Sequence, residues 1–302
     1  MVDVVVIGSL ALDDVSTPFG TVKGALGGSA TYASIACSLF SSPGVVGVVG
    51  SDFPQKYIDQ MKSKGVDLRG LEIEKGGKTF RWSGEYGLDL NSAKTLKTEL
   101  NVFEKFDPKI PSDYAGVDFL FLGNIDPSLQ LDVLSKMKKR PKLVVADTMN
   151  LWIEKKREEV LEVVEQVDVA LMNDAEAREL FRTSSIVKAA REILKRDSEV
   201  AIIKKGEHGC VLFTDSSYFA CPGYPLENVK DPTGAGDSFG GSLIGYLAKT
   251  QDFSFGNMKK GIVYASSVAS FNAEGFSVQR LCEINMRDVT KRYGEFSEFV
   301  KF

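Results

Sequence analysis

One stretch of the 302-residue chain places a carboxylate beside residues that can hold an anion: Asp231-Pro232-Thr233-Gly234-Ala235-Gly236-Asp237. Pro232 cannot donate to a ladder, and the glycines relax the backbone before the apolar run Ser242 to Ala248 begins. Gly234, Ala235 and Gly236 therefore read as a helix start. With almost no side chain between them, their N–H groups are free to converge on a ligand, and the helix dipole favours negative charge there. Phosphate binding is the chemistry implied. Asp237, one residue inside this anion hole, would repel the ligand unless it served the reaction, and its natural task is to accept a proton from an attacking hydroxyl. At the ordinary Asp pKa of about 3.9 it is ionised at neutral pH and positioned as a base. The structural alternative is a first-turn acid that stabilises its own helix.

With Asp-x-Thr-Gly-Ala-Gly-Asp intact, Asp231 to Asp237 resembles the C-terminal signature of the ribokinase and adenosine kinase family, the pfkB-type carbohydrate kinases, and the similarity extends over nearly all of the chain. The resemblance implies a kinase that moves a phosphoryl group from ATP to a hydroxymethyl group of a sugar or sugar-like molecule. Asp237 is then the base, and Gly234, Ala235 and Gly236 stabilise charge on the group in transfer. Positioning and electrostatics carry such reactions.

The elements that must hold these residues are legible as an alternation. Val4 to Ile7, Val45 to Val49, Phe119 to Leu122, Leu143 to Ala146, Val169 to Met172 and Val200 to Lys204 are short apolar runs separated by helix-compatible stretches. That is the pattern of a doubly wound, mainly parallel sheet flanked by helices, with ligands at the carboxyl ends of the strands. Asp13 lies beyond the first strand. It is a candidate for holding substrate hydroxyls, or a turn-capping Asp; Gly8-Ser9-Leu10-Ala11-Leu12-Asp13 is similar to the family's first-strand segment, in which the matching Asp binds sugar hydroxyls. Polar residues follow the other strands at the same edge: Asn124, Asp147 with Asn150, and Asn173 with Glu176. Any one alone reads as a helix N-cap; as a set they line the site, with Asn124 on the substrate side.

Other stretches match the family piece by piece. Gly27-Gly28 reads as a hinge that lets backbone approach a ligand, and the family carries a di-glycine here that moves as its lid closes. Asn173-Asp174-Ala175-Glu176 matches the family's Asn-x-x-Glu, which implies that Glu176 supports Mg²⁺ through water; Mg²⁺ suits this because it keeps several waters. Lys205-Gly206-Glu207-His208-Gly209 resembles the nucleotide-side turn, with backbone at Gly206 and Gly209 along ATP and Lys204 or Lys205 within reach of a phosphate. Tyr264 falls where ribokinase contacts the adenine. Two departures stand out. Tyr32 lies near the position of an Asn that ribokinase places against ribose, and Pro232 alters the loop near which the family binds a monovalent cation, which puts K⁺ in doubt.

Val15 to Leu26 and the period-two stretch Thr79 to Tyr86 read as a half-exposed sheet, resembling the family's small β lid. The expectation is one domain over residues 1–302 with a lid from about 14–26 and 75–111. Lid strands with a free edge favour a homodimer through the lid. Gly77-Lys78-Thr79 mimics the end of a P-loop, but Glu72 stands where that motif needs its first Gly. A nucleoside kinase of the same family is the alternative, since Phe80, Trp82 and Tyr86 offer faces for a base. A ligand-binding regulator without catalysis is the third reading, against which Asp237 argues.

Composition narrows the rest. With 43% hydrophobic residues and a net charge of −4, the chain supports a large core and argues against a nucleic-acid surface. Cys37, Cys210, Cys221 and Cys282 are scattered without a C-x-x-C pair, which points to reduced thiols rather than zinc or disulfides. The first residues lack a basic leader and no apolar run reaches eighteen, so a cytoplasmic protein off the membrane is expected. His208, the one histidine, leaves no Ser-His-Asp hydrolase in that form and reads as an exposed turn residue.

Overall fold

The continuous apolar runs become strands whose successive side chains enter two different cores, as their lack of polar alternation requires. The computed structural model describes residues 2–301. The chain starts mid-sheet with β1 (Val4–Ile7), leaves for the hairpin β2 (Ala11–Thr17) and β3 (Gly20–Gly27), and returns through α1 (Ser29–Cys37), β4 (Pro43–Gly50) and α2 (Gln55–Ser63) to β5 (Asp67–Glu74). After β6 (Phe80–Tyr86) and β7 (Ala93–Glu99) it crosses β1 and builds outward. β8 (Phe119–Leu122), α3 (Pro127–Lys136), β9 (Leu143–Ala146), α4 (Asn150–Lys155), α5 (Arg157–Gln166), β10 (Val169–Asn173), α6 (Asp174–Leu180), α7 (Ile186–Leu194) and β11 (Val200–Lys204) follow. The antiparallel strands β12 (Cys210–Phe213) and β13 (Tyr218–Cys221) complete the sheet, before α8 (Ala235–Thr250), α9 (Phe255–Ala273), α10 (Gln279–Glu283) and α11 (Met286–Phe299).

The main sheet has nine strands in the order β13-β12-β11-β10-β9-β8-β1-β4-β5, parallel from β11 to β5. The winding reverses at β1 and β8, which opens a crevice at their carboxyl ends. Val4, Val6, Phe119, Phe121 and Leu171 pack with α1, α8 and α9, whereas Val5, Ile7, Leu120, Leu122 and Met172 pack with α3, α5 and α7. α8 lies closest of all to its neighbours. A Cβ at Gly241 would sit 2.0 Å from the Ala33 carbonyl oxygen of α1, and one at Gly240 2.6 Å from the Phe121 ring.

β3-β2-β6-β7 form a separate four-stranded sheet. Its strands draw the expected lid in to residues 11–27 and 80–99, because Val102 and Phe106 turn back into the main core. Residues 67–74, part of the stretch whose pattern departs from the main domain, pair with β4 as an edge of the main sheet. Thr79 is buried, and its N–H and hydroxyl both donate to Asp52, a structural clasp where the P-loop mimic stood.

Gly241→Ala tests the α1–α8 contact. Backbone rather than a flexible side chain lies opposite, so the helices must separate, at a cost of about 2–3 kcal/mol. Chemical denaturation should report a loss of that size; a neutral variant would show that α8 is free to shift.

Candidate active site

α8 begins where its sequence has no side chain to cap it. Gly234 is left-handed (φ 75°, ψ 2°) and makes no side-chain cap; the Ala235 N–H donates back to the Pro232 carbonyl at 3.1 Å, which leaves Gly234 and Gly236 on either side of it as the donors open to a ligand. Glycine is required there twice over, for its φ and because a Cβ would stand 2.3 Å from the ring of buried Tyr32. The loop before it is tied on every side. Asp231 accepts from the N–H groups of Thr233 (2.9 Å) and Ser277 (3.1 Å), the Asn272 amide donates to the Thr233 carbonyl (2.7 Å), and the Thr233 hydroxyl donates to Tyr86 of the lid (3.2 Å). Asp237 is half-buried in the first turn.

Asp237 does not keep an ordinary carboxyl. Burial pushes its pKa up to about 7, and Asp147 adds to this while Lys204 works against it. The sequence expectation of a fully ionised base at neutral pH is corrected accordingly: Asp237 straddles protonation near neutrality, a poise suited to proton transfer. Lys204, at the end of β11, pairs with buried Asp147. Its Nζ lies 3.1 Å from where a Gly236 Cβ would be, so the ammonium borders the anion hole. Burial opposes its charge, but Asp147, Glu176 and Asp237 hold its pKa above the ordinary value.

On the other wall, Asp13 is 4% exposed and its Oδ1 has no hydrogen-bond partner. Its pKa is raised by burial first, then by Asp231, Asp237 and Asp14. A buried orphan acceptor facing the crevice is a place for a ligand's donor. Gly27 is bare because Asp13 fills the space, a Cβ there falling 1.8 Å from its Oδ2; Gly28 has φ 96° and would put a Cβ 2.4 Å from the Ser9 carbonyl. The di-glycine is thus closely packed, with no room for a Cβ at either position. Asn124 sits beside it, with its backbone carbonyl accepting from Ser29 at 3.5 Å, but its side chain is engaged elsewhere: Oδ1 accepts from the Trp152 indole at 2.9 Å and Nδ2 faces Met149 Sδ at 2.9 Å.

The nucleotide-side residues divide. Asn173 and Glu176 form a reciprocal capping box at the start of α6, Asn173 Oδ1 accepting from the Glu176 N–H (2.8 Å) and Glu176 Oε2 from the Asn173 N–H (2.7 Å). Burial lifts Glu176 to about 8, moderated by Lys204 and reinforced by Asp147. Its second carboxylate oxygen is left for a cation. No three His, Cys, Asp or Glu side chains among the described residues are placed to hold a metal ion by themselves; a single free Glu176 oxygen fits Mg²⁺ held through water and phosphate oxygens. Gly206 (φ 56°) and Gly209 (φ 80°) make the expected turn, and a Cβ at Gly209 would meet the Cys221 carbonyl at 2.1 Å, so that glycine serves β13. Tyr264 stacks between Tyr293 (4.2 Å) and Tyr246 (5.0 Å) in the helix packing, whereas Ser266 is the α9 residue that faces Cys221. His208 is exposed as expected. The lid supplies a residue the sequence did not flag: Asn91 Nδ2 donates to Glu207 Oε1 on this turn at 3.0 Å. Asn272 and Trp152, which bond the Thr233 carbonyl and Asn124, were likewise not flagged, whereas Tyr32 was noted from the sequence and lies under Gly234.

Known proteins resemble this chain along its length. The family described as pfkB family carbohydrate kinase matches residues 1–284. A cytidine kinase of Thermococcus kodakarensis is 31% identical over 252 residues, covering 82% of this chain and 89% of that protein. A nucleoside kinase of Burkholderia thailandensis, solved in complex with inosine, superposes with a TM-score of 0.80 at 18% identity over 97% of each chain. An E. coli structure solved in complex with ATP and Mg²⁺ gives 0.81 at 16% identity over 98% of this chain and 100% of its own. These two structures, at such identities, speak for the shared fold.

A stability measurement tests the buried carboxylate directly. Asp237 has a folded pKa of about 7 against an ordinary 3.8, so its contribution to stability is full below the lower value and lost as pH rises through the higher. Asp237→Asn, which carries no charge to bury, should match wild type at pH 4 and melt progressively higher than it between about pH 4 and pH 7, with the gap constant above. A gap that stays flat with pH would mean that Asp237 titrates normally.

Proposed function

This chain belongs to the pfkB family of carbohydrate kinases, and on that premise we propose that it transfers the γ-phosphoryl group of ATP to the hydroxymethyl group of a pentose, carried as a nucleoside. The observation that carries the phosphotransfer reading is Asp237 inside an uncapped helix start, opposite the orphan oxygen of Asp13.

The proposed roles follow from that geometry. Asp13 accepts a hydroxyl of the pentose and fixes its orientation. Asp237 takes the proton of the attacking hydroxyl as its oxygen bonds to Pγ, while the Pγ–O bond to ADP breaks and the electron pair leaves on the ADP oxygen. The N–H groups of Gly234 and Gly236 receive the charge spread over the phosphoryl oxygens, and Ala235 between them, its N–H held by the Pro232 carbonyl, keeps the turn in shape. Asn173, Lys204 and the backbone of Gly206 and Gly209 lie on the nucleotide side. Mg²⁺, when bound beside Glu176, neutralises phosphate charge. A nucleoside acceptor is favoured by the cytidine kinase that matches 82% of the chain, and by aromatic surface at the site, where the Trp152 indole is anchored by Asn124 next to the di-glycine. A free sugar is the second reading, supported by the family's carbohydrate members.

ATP consumption with cytidine, uridine, adenosine, inosine, ribose and fructose decides between them. The best nucleoside should exceed the best free sugar by about 10² in kcat/KM, the scale on which loss of apolar contact, here with the base, lowers transition-state binding; a sugar that outruns every nucleoside overturns the acceptor assignment. Asp237→Asn should lower kcat by about 10²-fold or more with ATP binding retained, and wild-type kcat/KM should fall below about pH 7 as the free enzyme's base takes up its proton. Asp13→Ala should raise acceptor KM far more than ATP KM, and equal effects on both would remove Asp13 from the acceptor site.

A further inference from the structure

We propose that the Lys204 ammonium is itself a member of the anion hole, carrying positive charge for the phosphoryl group in transfer, and that Asp147 is the residue that positions it. This deepens the phosphotransfer reading above and rests on it.

Three observations converge. First, Lys204 does not run past α8 but ends against it. Its Nζ is 3.1 Å, and its Cε 3.8 Å, from the point a Gly236 Cβ would occupy, so the absent side chain of Gly236 is what gives the ammonium its room. The uncapped N–H groups of α8 and the lysine charge therefore border one space. Second, the ammonium has donors to spare. It carries three N–H groups, and among the described residues Asp147 is its hydrogen-bond partner. Two donors are left for oxygens that arrive in the crevice.

Third, the pair is buried beside the groups of the site. Lys204 faces Asp147, Glu176 and Asp237, and the Lys204 and Asp147 side chains are only 15% and 5% exposed. Buried pairs struggle to recover their desolvation cost, so stability alone is a weak reason to place one here. An ammonium held by one carboxylate and aimed at an anion hole is a different object. It is a fixed charge, oriented before the reaction, of the kind that is strongest where charge develops in transfer. As the acceptor oxygen bonds to Pγ and the bond to the ADP oxygen breaks, the phosphoryl oxygens stay within reach of the same ammonium. The lysine thus needs no movement during the step, and Asp147, one strand beyond β10, keeps it from swinging to Glu176.

Lys204→Met, Asp147→Asn and the double variant separate this from a structural ion pair. Calorimetric titration of Lys204→Met should weaken ATP by about 10-fold while ADP, lacking the γ-phosphate, changes less than about threefold, and kcat with the best acceptor should fall by about 10²-fold. Asp147→Asn should slow turnover by about 10-fold, since the ammonium remains but is no longer held. The double variant removes both members of the pair, so neither is left buried without its partner; it should fold at least as well as Lys204→Met and be just as slow. Equal weakening of ATP and ADP, or recovery of the double variant to within about threefold of wild-type kcat, would make the pair structural and overturn the inference. The affinity arm needs no acceptor. If wild type binds ATP and ADP yet transfers no phosphoryl group, the phosphotransfer reading fails, while the ATP-to-ADP ratio of the variants still decides where Lys204 points.

Discussion

The site depends on how closely α8 can approach α1. Gly241 lies over the Ala33 carbonyl and Gly234 over the Tyr32 ring, at separations where no side-chain carbon fits, and these contacts set where the helix starts. Packing thus fixes where the first turn of α8 lies, together with the hydrogen bonds of Asp231 and Asn272 that tie the loop before it. Asp237 follows at a fixed place in the first turn, and Lys204 reaches the same turn from the sheet through the space left at Gly236. A widening by one methyl group would lift all of these away from Asp13 together. The small residues in α8 are therefore chemistry expressed as sterics.

That arrangement is electrostatically costly. Asp13, Glu176, Asp231 and Asp237 are all held above the ordinary carboxyl range, each with burial as the leading cause. A protein selected only to fold would not gather them, and the two cores on either face of the sheet must offset what the crevice withholds. The concentration of acid also explains why one lysine matters: without Lys204 the region would repel any anion at the start of α8.

Much of this was legible in the sequence, and the reason differs from what was not. Phe119–Leu122 and Leu143–Ala146 begin and end as strands where their apolar runs do, because both faces of the sheet are covered and the boundary is set by composition alone. The Asp231 to Asp237 loop was legible because a proline, two glycines and an acid have few other uses in that order. What stayed hidden are properties that exist only after distant segments meet. Asp147 and Lys204 are separated by 57 residues, and nothing local ties Tyr32 to Gly234. The raised pKa of Asp237 is a property of burial rather than of residue type. Gly27-Gly28 shows the converse: its freedom is intrinsic, but the folded chain uses its lack of side chains for close packing. Asn173 and Glu176 were read both as caps and as site residues, and the capping box shows why the two readings coincide. The hydrogen bonds that hold Glu176 at the helix start leave its second oxygen at the crevice.

The lid completes the argument because it is bonded to both halves of the site. Tyr86 meets Thr233 in the loop before the anion hole, and Thr17 donates to the Lys230 carbonyl at 2.8 Å, while Asn91 reaches Glu207 on the nucleotide turn. Each is a single hydrogen bond with a partly or fully exposed partner, worth about 1 kcal/mol once exchange with water is counted. They add to the packing of Leu12 and Leu26, which carry the base of the small sheet into the main core. The distribution matters more than the sum. The bonds reach both the loop before α8 and the turn at Glu207, so one small sheet is fastened to both walls of the crevice.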